Sequence, residues 1–544
     1  MKGAEVIAEI LKREGTEFLA CYPRNSVIDA CAAIDIRPVL SRQERVGVGI
    51  ADGYSRIRRG KRNGVFAAQH GPGIENAFAG VAQAYSENVP LLVIPGGFSS
   101  ERQYIRPTFR AAEVFRPVTK WSALVTNAKE IPDVMRRAYQ AMRSGKPGPT
   151  LVEVHTDVFD QEFEGPLVYT PVPVTRAAPD PEAVKAAARL LLSAKNPLLW
   201  AGQGVHYAEA GDRLAALAEL IPAPVAATNP GKSAIPDTHP LSLGGSTRSR
   251  SKAYAAFLAR GDVVLAIGSS LTRTAFGPAM PKDRKVIHST NDPSDINKDY
   301  PAEIALAGDA ALVIDALIEE IGRQKKTPSA KALDALKDEI AGLKRAWLAE
   351  WAPHLESNEV PINQYRVIAD LMKTVDRDNV IITHDSGSPR EQLLPFWQTT
   401  KPGSYMGWGK STQLGYGLGL AMGAKLAAPE KLCINVMGDC SFGMTGMDIE
   451  TASRNRIGIF TVVFNNQVMA CEREVMKVST ARFNALSVGG NYAKVAEGLN
   501  VASRRVSQPS EIIPTIKEAI DTTEQGAPFL MEIVAKEGYD FSRY

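Results

Sequence analysis

Three consecutive doubly wound α/β domains, each built on a parallel sheet, are predicted by three features of the sequence. Its 544 residues make three or four domains at roughly 150 residues each. Short apolar runs alternate with amphipathic helical stretches along the chain, the pattern of parallel strands covered on both faces by helices. Polar breaks rich in proline or charge divide that alternation into blocks of similar size.

The first block is residues 1–165. Residues 3–14 place Val6, Ile7, Ile10 and Leu11 on one helical face. Phe18–Cys21, Val65–Ala68, Leu91–Pro95 and Thr150–Val154 read as short buried strands. Pro166, Pro171, Pro173, Pro179 and Pro181 then fall in a polar stretch. Proline removes backbone donors and favours extended chain, so 166–183 is a linker. In the central block, 184–322, the strands are Pro197–Ala201, Pro224–Thr228, Val263–Ile267 and Lys285–His288. A charged stretch, 323–330, leads into a long helix that ends near Trp351. The third block, 360–544, includes strands Val380–Thr383, Leu432–Met437, Phe460–Phe464 and Phe529–Ile533.

Composition narrows the function. With 63 basic and 60 acidic residues the net charge is +3, which argues against a nucleic-acid binder. No apolar run is long enough to span a membrane, and Glu5 and Glu9 interrupt the stretch a secretion leader needs. Five cysteines, an odd number without metal-ligand spacing, fit a reduced, cytoplasmic enzyme acting on a small molecule.

The segment from Lys431 to Asn466 carries the most chemistry. A buried strand ends in Gly438-Asp439, a turn of small residues follows, a helix is expected from about Gly446, and a second strand ends in Asn465-Asn466. Both strand ends emerge at the carboxyl edge of a parallel sheet, where α/β proteins bind ligands. A carboxylate, an amide oxygen and a backbone carbonyl suit magnesium, which joins few protein ligands to phosphate oxygens. The small residues at 438–441 leave backbone N–H groups free for those phosphates.

This segment resembles the diphosphate-binding motif of thiamine-diphosphate enzymes, with Cys440 where glycine is usual. The resemblance implies that Asp439, Asn466 and the main-chain oxygen of Val468 hold Mg2+, while Gly438, Cys440 and Ser441 line the diphosphate. Three further stretches extend it over nearly the whole chain. SRQERVGVGIADGYSR, residues 41–56, puts Glu44 at the end of a short strand and the start of a helix, where the family's glutamate bonds the cofactor's aminopyrimidine ring, favouring the tautomer that removes the C2 proton. Gln69-His70-Gly71-Pro72-Gly73 is similar to the family's loop over the cofactor, with Asn76 pinning the helix behind it. His70 either donates to a substrate carbonyl or packs beside the loop. In residues 407–427 Leu414 falls where relatives carry the apolar residue that props the cofactor into a bent shape, which is catalysis by orientation.

What the resemblance implies is a thiamine-diphosphate- and magnesium-dependent carbon–carbon lyase or carboligase, a homodimer or homotetramer with active sites between subunits. Its relatives include acetolactate synthase, oxalyl-CoA decarboxylase and 2-hydroxyacyl-CoA lyase. The wording of residues 438–451 ranks a 2-hydroxyacyl-CoA lyase or oxalyl-CoA decarboxylase reaction first. An acetolactate synthase-like carboligation or a 2-oxo acid decarboxylation comes second. Phe109-Arg110-Ala111 departs from the family's Phe-Gln-Glu, so substrate contacts do not transfer. A catalytically silent homologue stays open, and it would bind cofactor without C2-proton exchange.

Several stretches keep two readings each. Ala201-Gly202-Gln203-Gly204 either packs closely or binds ADP or coenzyme A in the central domain; FAD is not expected. The run Ser246–Lys252 is a solvated surface or a coenzyme A phosphate site. His384 to Glu391 are candidates for diphosphate contacts, with His384 instead satisfying a loop carbonyl. Glu472 is a proton donor in the substrate channel or an exposed residue. Tyr539, Phe541 and Tyr544 form a tail that closes over the site or frays.

Overall fold

The computed structural model describes residues 1–324, 330–538 and 540–544. Among them the strands form three six-stranded sheets, parallel throughout. The first contains β1 (Phe18–Cys21), β2 (Arg37–Leu40), β3 (Gly64–Ala68), β4 (Leu91–Gly97), β5 (Trp121–Val125) and β6 (Thr150–His155), in the order β2-β1-β3-β4-β6-β5. The central sheet contains β7 (Pro197–Ala201), β8 (Val225–Thr228), β9 (Ser242–Ser246), β10 (Val263–Ile267), β11 (Lys285–Thr290) and β12 (Ile304–Ala307). Its order is β12-β11-β10-β7-β8-β9, the doubly wound order of dinucleotide-binding domains read from the opposite edge. The third contains β13 (Val380–His384), β14 (Tyr405–Met406), β15 (Leu432–Gly438), β16 (Ile459–Asn465), β17 (Ala502–Val506) and β18 (Phe529–Val534). These run β14-β13-β15-β16-β18-β17, which repeats the first sheet's order strand for strand.

Inner strands are apolar and buried along their length, as β3, β4 and β16 show, because helices cover both faces. The helix Gly3–Arg13 buries Val6, Ile7, Ile10 and Leu11 as its periodicity predicts. Residues 166–180 form neither helix nor strand. The long helix runs Ala330–Leu355, ending about a turn beyond Trp351; of the charged stretch before it, residues 325–329 lie outside the described residues.

One expectation is corrected. The helix placed near Gly446 begins at Asp439 and runs to Thr445, and Gly446–Asp448 is a 3-10 turn leading into a further helix, Ile449–Arg454. The Asp439 carboxylate accepts from the Cys440 amide at 2.7 Å, so a helix-opening N–H is satisfied at the strand end and the chain coils at once.

The first and third domains meet through two helices, Glu44–Ile57 and Tyr416–Ala427. A Cβ on Gly53 would lie 2.2 Å from the Leu420 carbonyl oxygen, and one on Gly423 2.1 Å from that of Ile50. The two backbones therefore touch, an approach only glycine allows.

Candidate functional site

At the carboxyl edge of the third sheet, β15 and β16 are neighbours and end in register, Gly438 beside Phe464. Asp439 follows one strand and Asn466 the other. Besides its bond to Cys440, the Asp439 carboxylate accepts from the amides of Asn466 at 3.0 Å and Gln467 at 2.7 Å. Burial pushes this carboxyl up, and those backbone donors oppose the shift. The Asn466 side-chain oxygen accepts from the Val468 amide at 3.1 Å, so one turn holds two of the three expected magnesium ligands and Asp439 is bonded to it from the neighbouring strand end. Gly438 and Cys440 are half-buried beside them and Ser441 is buried. Across the edge, Ser386 is 5% exposed and its hydroxyl has no partner among the described residues, an unspent donor at the end of β13. Oxygen ligands of this kind with one carboxylate, and an unspent buried hydroxyl, fit magnesium and a diphosphate.

The first domain brings its own set to the same region. Glu44 opens its helix and is buried. Burial raises its pKa, opposed by its own backbone amide and by the side chain of Asn76. Asn76 lies on the helix Pro72–Ser86, whose cap is Gly71 at a φ of 61°, and Gly73 is buried behind Pro72. His70 meets Phe98 edge-on at 4.9 Å between ring centres. Burial, with Arg24 and Arg102 nearby, lowers its pKa, which favours a neutral ring; its Nδ1 is buried with no partner among the described residues. The residues flanking Glu44 reach the third domain. Arg42 N–H donates to Asp448 at 2.7 Å, while Gln43 and Arg45 side chains donate to the Met444 carbonyl at 3.1 and 2.9 Å. Within one chain the start of the Glu44 helix is thus tied to the segment that follows Ser441.

Leu414 is half-buried, just before Gly415, whose φ of 86° caps the Tyr416–Ala427 helix. Asp385, placed by sequence among residues facing the diphosphate, instead turns toward that helix and takes the amides of Gly415 and Gly417, each at 2.9 Å. His384 is fully buried and stacked on Trp408, 5.2 Å between ring centres. Its Nδ1 donates to the Asp385 carbonyl at 3.1 Å, and burial pushes its pKa down to about 3. Glu472 is not brought in: it is exposed, in the short turn Ala470–Glu472. Its neighbour Cys471 lies against Ser388 at 3.3 Å.

The run Ser246–Lys252 is a strut between the central and third domains. The Thr247 hydroxyl and the Ser249 amide donate to Glu391 at 2.7 and 3.1 Å, and Arg248 lies over Phe276. The tail packs alongside, Ser542 exchanging hydrogen bonds with the Arg250 backbone and Tyr544 donating to Glu350; Tyr539 lies outside the described residues. Gly202 serves close packing, since a Cβ there would sit 2.4 Å from the Gly268 carbonyl oxygen. It also lines a cavity of about 250 Å3 with Gln203, Ser269, Asp309 and, from the other two domains, Arg143 and Lys410.

Sequence reasoning missed Arg42, Arg45, Asp448 and Lys410, which act across domain junctions that no local spacing marks. Among the described residues no helix is long and apolar enough to cross a membrane.

Fold and site together define a thiamine pyrophosphate enzyme. Residues 1–114, 184–317 and 385–533 match that family's N-terminal TPP-binding, central and C-terminal TPP-binding domains in order, and the chain belongs to it. A probable acetolactate synthase large subunit of Methanocaldococcus jannaschii is 29% identical to it, over 98% of this chain and 92% of that protein. The acetolactate synthase large subunit of Haemophilus influenzae is 27% identical over 95% and 92%. The isozyme 3 large subunit of Escherichia coli K12 is 26% identical over 96% and 92%.

Proposed function

We propose that this protein is an acetolactate synthase-like carboligase acting on a 2-oxo acid, with thiamine diphosphate and Mg2+. The observation that carries this over the acyl-CoA lyase or decarboxylase reading favoured by sequence is similarity to acetolactate synthase large subunits over 98% of the chain. The strut role of Ser246–Lys252 points the same way, because Thr247 and Ser249 are spent on Glu391.

In this reading Asp439, Asn466 and the Val468 carbonyl hold magnesium, while Gly438, Cys440, Ser441 and Ser386 line the diphosphate. Leu414 supports the bend, and Gly71, Pro72, Gly73 and Asn76 border the ring end. Bound thiamine diphosphate supplies the carbanion that attacks the substrate carbonyl and stores the electrons released when a carbon–carbon bond breaks. Glu44 supplies the carboxyl at the ring, and burial raises its pKa, which favours the protonated form that can hand a proton on. A neutral His70 donates one N–H toward the substrate, which gives it the electrophilic role in preference to a base. We assign no role to Glu472. The domain division 1–165, 184–322 and 360–544, assembly as a homodimer or homotetramer with shared sites, and a cytoplasmic location belong to the same proposal. For the central cavity we propose an ADP-like nucleotide, its phosphates near Lys410; a yellow purified protein would replace it with flavin.

Acid-quench mass spectrometry of cofactor adducts tests the reading. The protein, thiamine diphosphate and Mg2+ meet pyruvate, benzoylformate, oxalyl-CoA and a 2-hydroxyacyl-CoA in separate reactions. An adduct with pyruvate and a carboligated product are expected. Adducts from the CoA thioesters alone would overturn it.

A further inference from the structure

Asp385 is fully buried and makes no ion pair among the described residues. Its Oδ1 accepts from Ser386 N–H at 2.8 Å and Gly415 N–H at 2.9 Å, and its Oδ2 from Gly417 N–H at 2.9 Å. A buried anion satisfied only by neutral donors is costly to keep. What it achieves is a junction: the end of β13 and the turn after Leu414 are joined on two oxygens. An asparagine has one acceptor oxygen and could not serve all three donors, which divide between two oxygens here. From the other side, the Thr445 hydroxyl donates to the Gly415 carbonyl at 2.9 Å. Both groups of the Gly415 peptide are therefore held, and with them the direction in which Leu414 leaves the turn. Arg45, next to Glu44 in the first domain, lies within the electrostatic reach of the same carboxylate.

We propose that Asp385 is a positioning residue whose carboxylate locks the Leu414–Gly415 turn to Ser386, so that one anion sets both the prop under the cofactor ring and a residue lining its diphosphate. The inference rests on the roles given above to Leu414 and Ser386. It makes ring orientation, and not cofactor affinity alone, depend on a residue that does not itself touch the ring.

The test uses the full-length protein with thiamine diphosphate and Mg2+, in wild type, Asp385→Asn and Thr445→Val. Cofactor affinity is read by calorimetry, C2-proton exchange at saturating cofactor by quenched-flow NMR, and fold by the thermal midpoint without cofactor. Exchange should slow about tenfold or more in Asp385→Asn and about threefold in Thr445→Val, the size of effect expected from misplacing a reacting group. A merely structural role would lower the thermal midpoint and leave exchange at saturation unchanged, which overturns the proposal. If Asp385→Asn does not fold, Thr445→Val, which leaves no unpaired charge behind, decides alone. A wild type that binds no thiamine diphosphate overturns the underlying reading; a wild type that binds and exchanges, with variants that match it, overturns only this inference.

Discussion

β3 in the first domain and β15 in the third occupy the same place in sheets of identical order, yet the loops that leave them do opposite things. After β3 comes Gln69-His70-Gly71-Pro72, with a neutral-leaning histidine and no acid. After β15 comes Gly438-Asp439, whose carboxylate gathers the chain ends around Asn466. The next pair of equivalent positions reverses the assignment. The helix after β2 opens with the acid Glu44, while the helix after β14 is preceded by apolar Leu414. One topology thus carries two half-sites of complementary chemistry, acid where the other is apolar, and the two helices that carry them pack backbone to backbone. A duplicated fold lets one copy handle a ring and the other a metal diphosphate, because ligand chemistry resides in the strand-end loops and not in the sheet.

The largest effect should come from the third domain's acid. Asp439→Ala removes the only carboxylate among the proposed metal ligands and should abolish magnesium-dependent thiamine diphosphate binding, a loss of about 100-fold or more, by calorimetry. Tight binding in that variant would refute the metal assignment. Glu44→Gln breaks the other half. It should keep the fold and most of the cofactor affinity but slow C2-proton exchange by about 100-fold, and unchanged exchange by NMR would remove Glu44 from the chemistry. If instead Asp439→Ala impaired exchange and Glu44→Gln impaired binding, the two half-sites would have been assigned the wrong way round.

The seam between these half-sites comes next. Gly53→Ala puts a methyl 2.2 Å from the Leu420 carbonyl oxygen. Relief requires the helices to part, at a cost of about 1–3 kcal/mol, read as a lower unfolding midpoint. An unchanged midpoint would mean that the first and third domains do not pack as seen.

The inner strands of all three sheets are legible in the sequence, and the edges are not. Of the edge strands, β5, β9, β12, β14 and β17 escape the reading, and β2 enters it only as the short strand before Glu44. β12 and β17 expose about every other side chain and β14 is two residues long, so none forms the continuous apolar run that marks a strand covered on both faces. The same reasoning divides the site. Asp439 and Asn466 are legible because one strand–helix–strand unit carries both. The ties from Arg42 and Arg45 to Asp448 and Met444 link residues some 400 positions apart, and no periodicity records such contacts. Asp385 is instructive in another way: its position at a strand end is readable, but the direction of its carboxylate depends on where Gly415 and Gly417 fold back.

The smallest predicted effect tests whether the two copies also share their buried acids. Glu153 is the fourth residue of β6 and Glu532 the fourth of β18, equivalent strands. Each accepts from an amide early in a short helix, Ala112 at 2.8 Å and Ala493 at 2.8 Å. Glu532 has further partners in Asn465 at 2.6 Å and Arg505 at 3.5 Å, whereas Glu153 makes no ion pair among the described residues. Burial accordingly raises the Glu153 pKa from 4.5 to about 7. Between those two values the native state holds a proton that the unfolded chain releases, so this group's contribution to stability is full below about pH 4.5 and is lost as pH rises toward 7. The total is at most roughly 3 kcal/mol. Glu153→Gln cannot titrate, so its denaturation midpoint should vary less than that of wild type between pH 5 and 7, the two curves diverging most steeply near the middle of that window. Parallel curves would show that Glu153 is ionised in the native state across this range, and that the first domain satisfies its buried acid as fully as the third does.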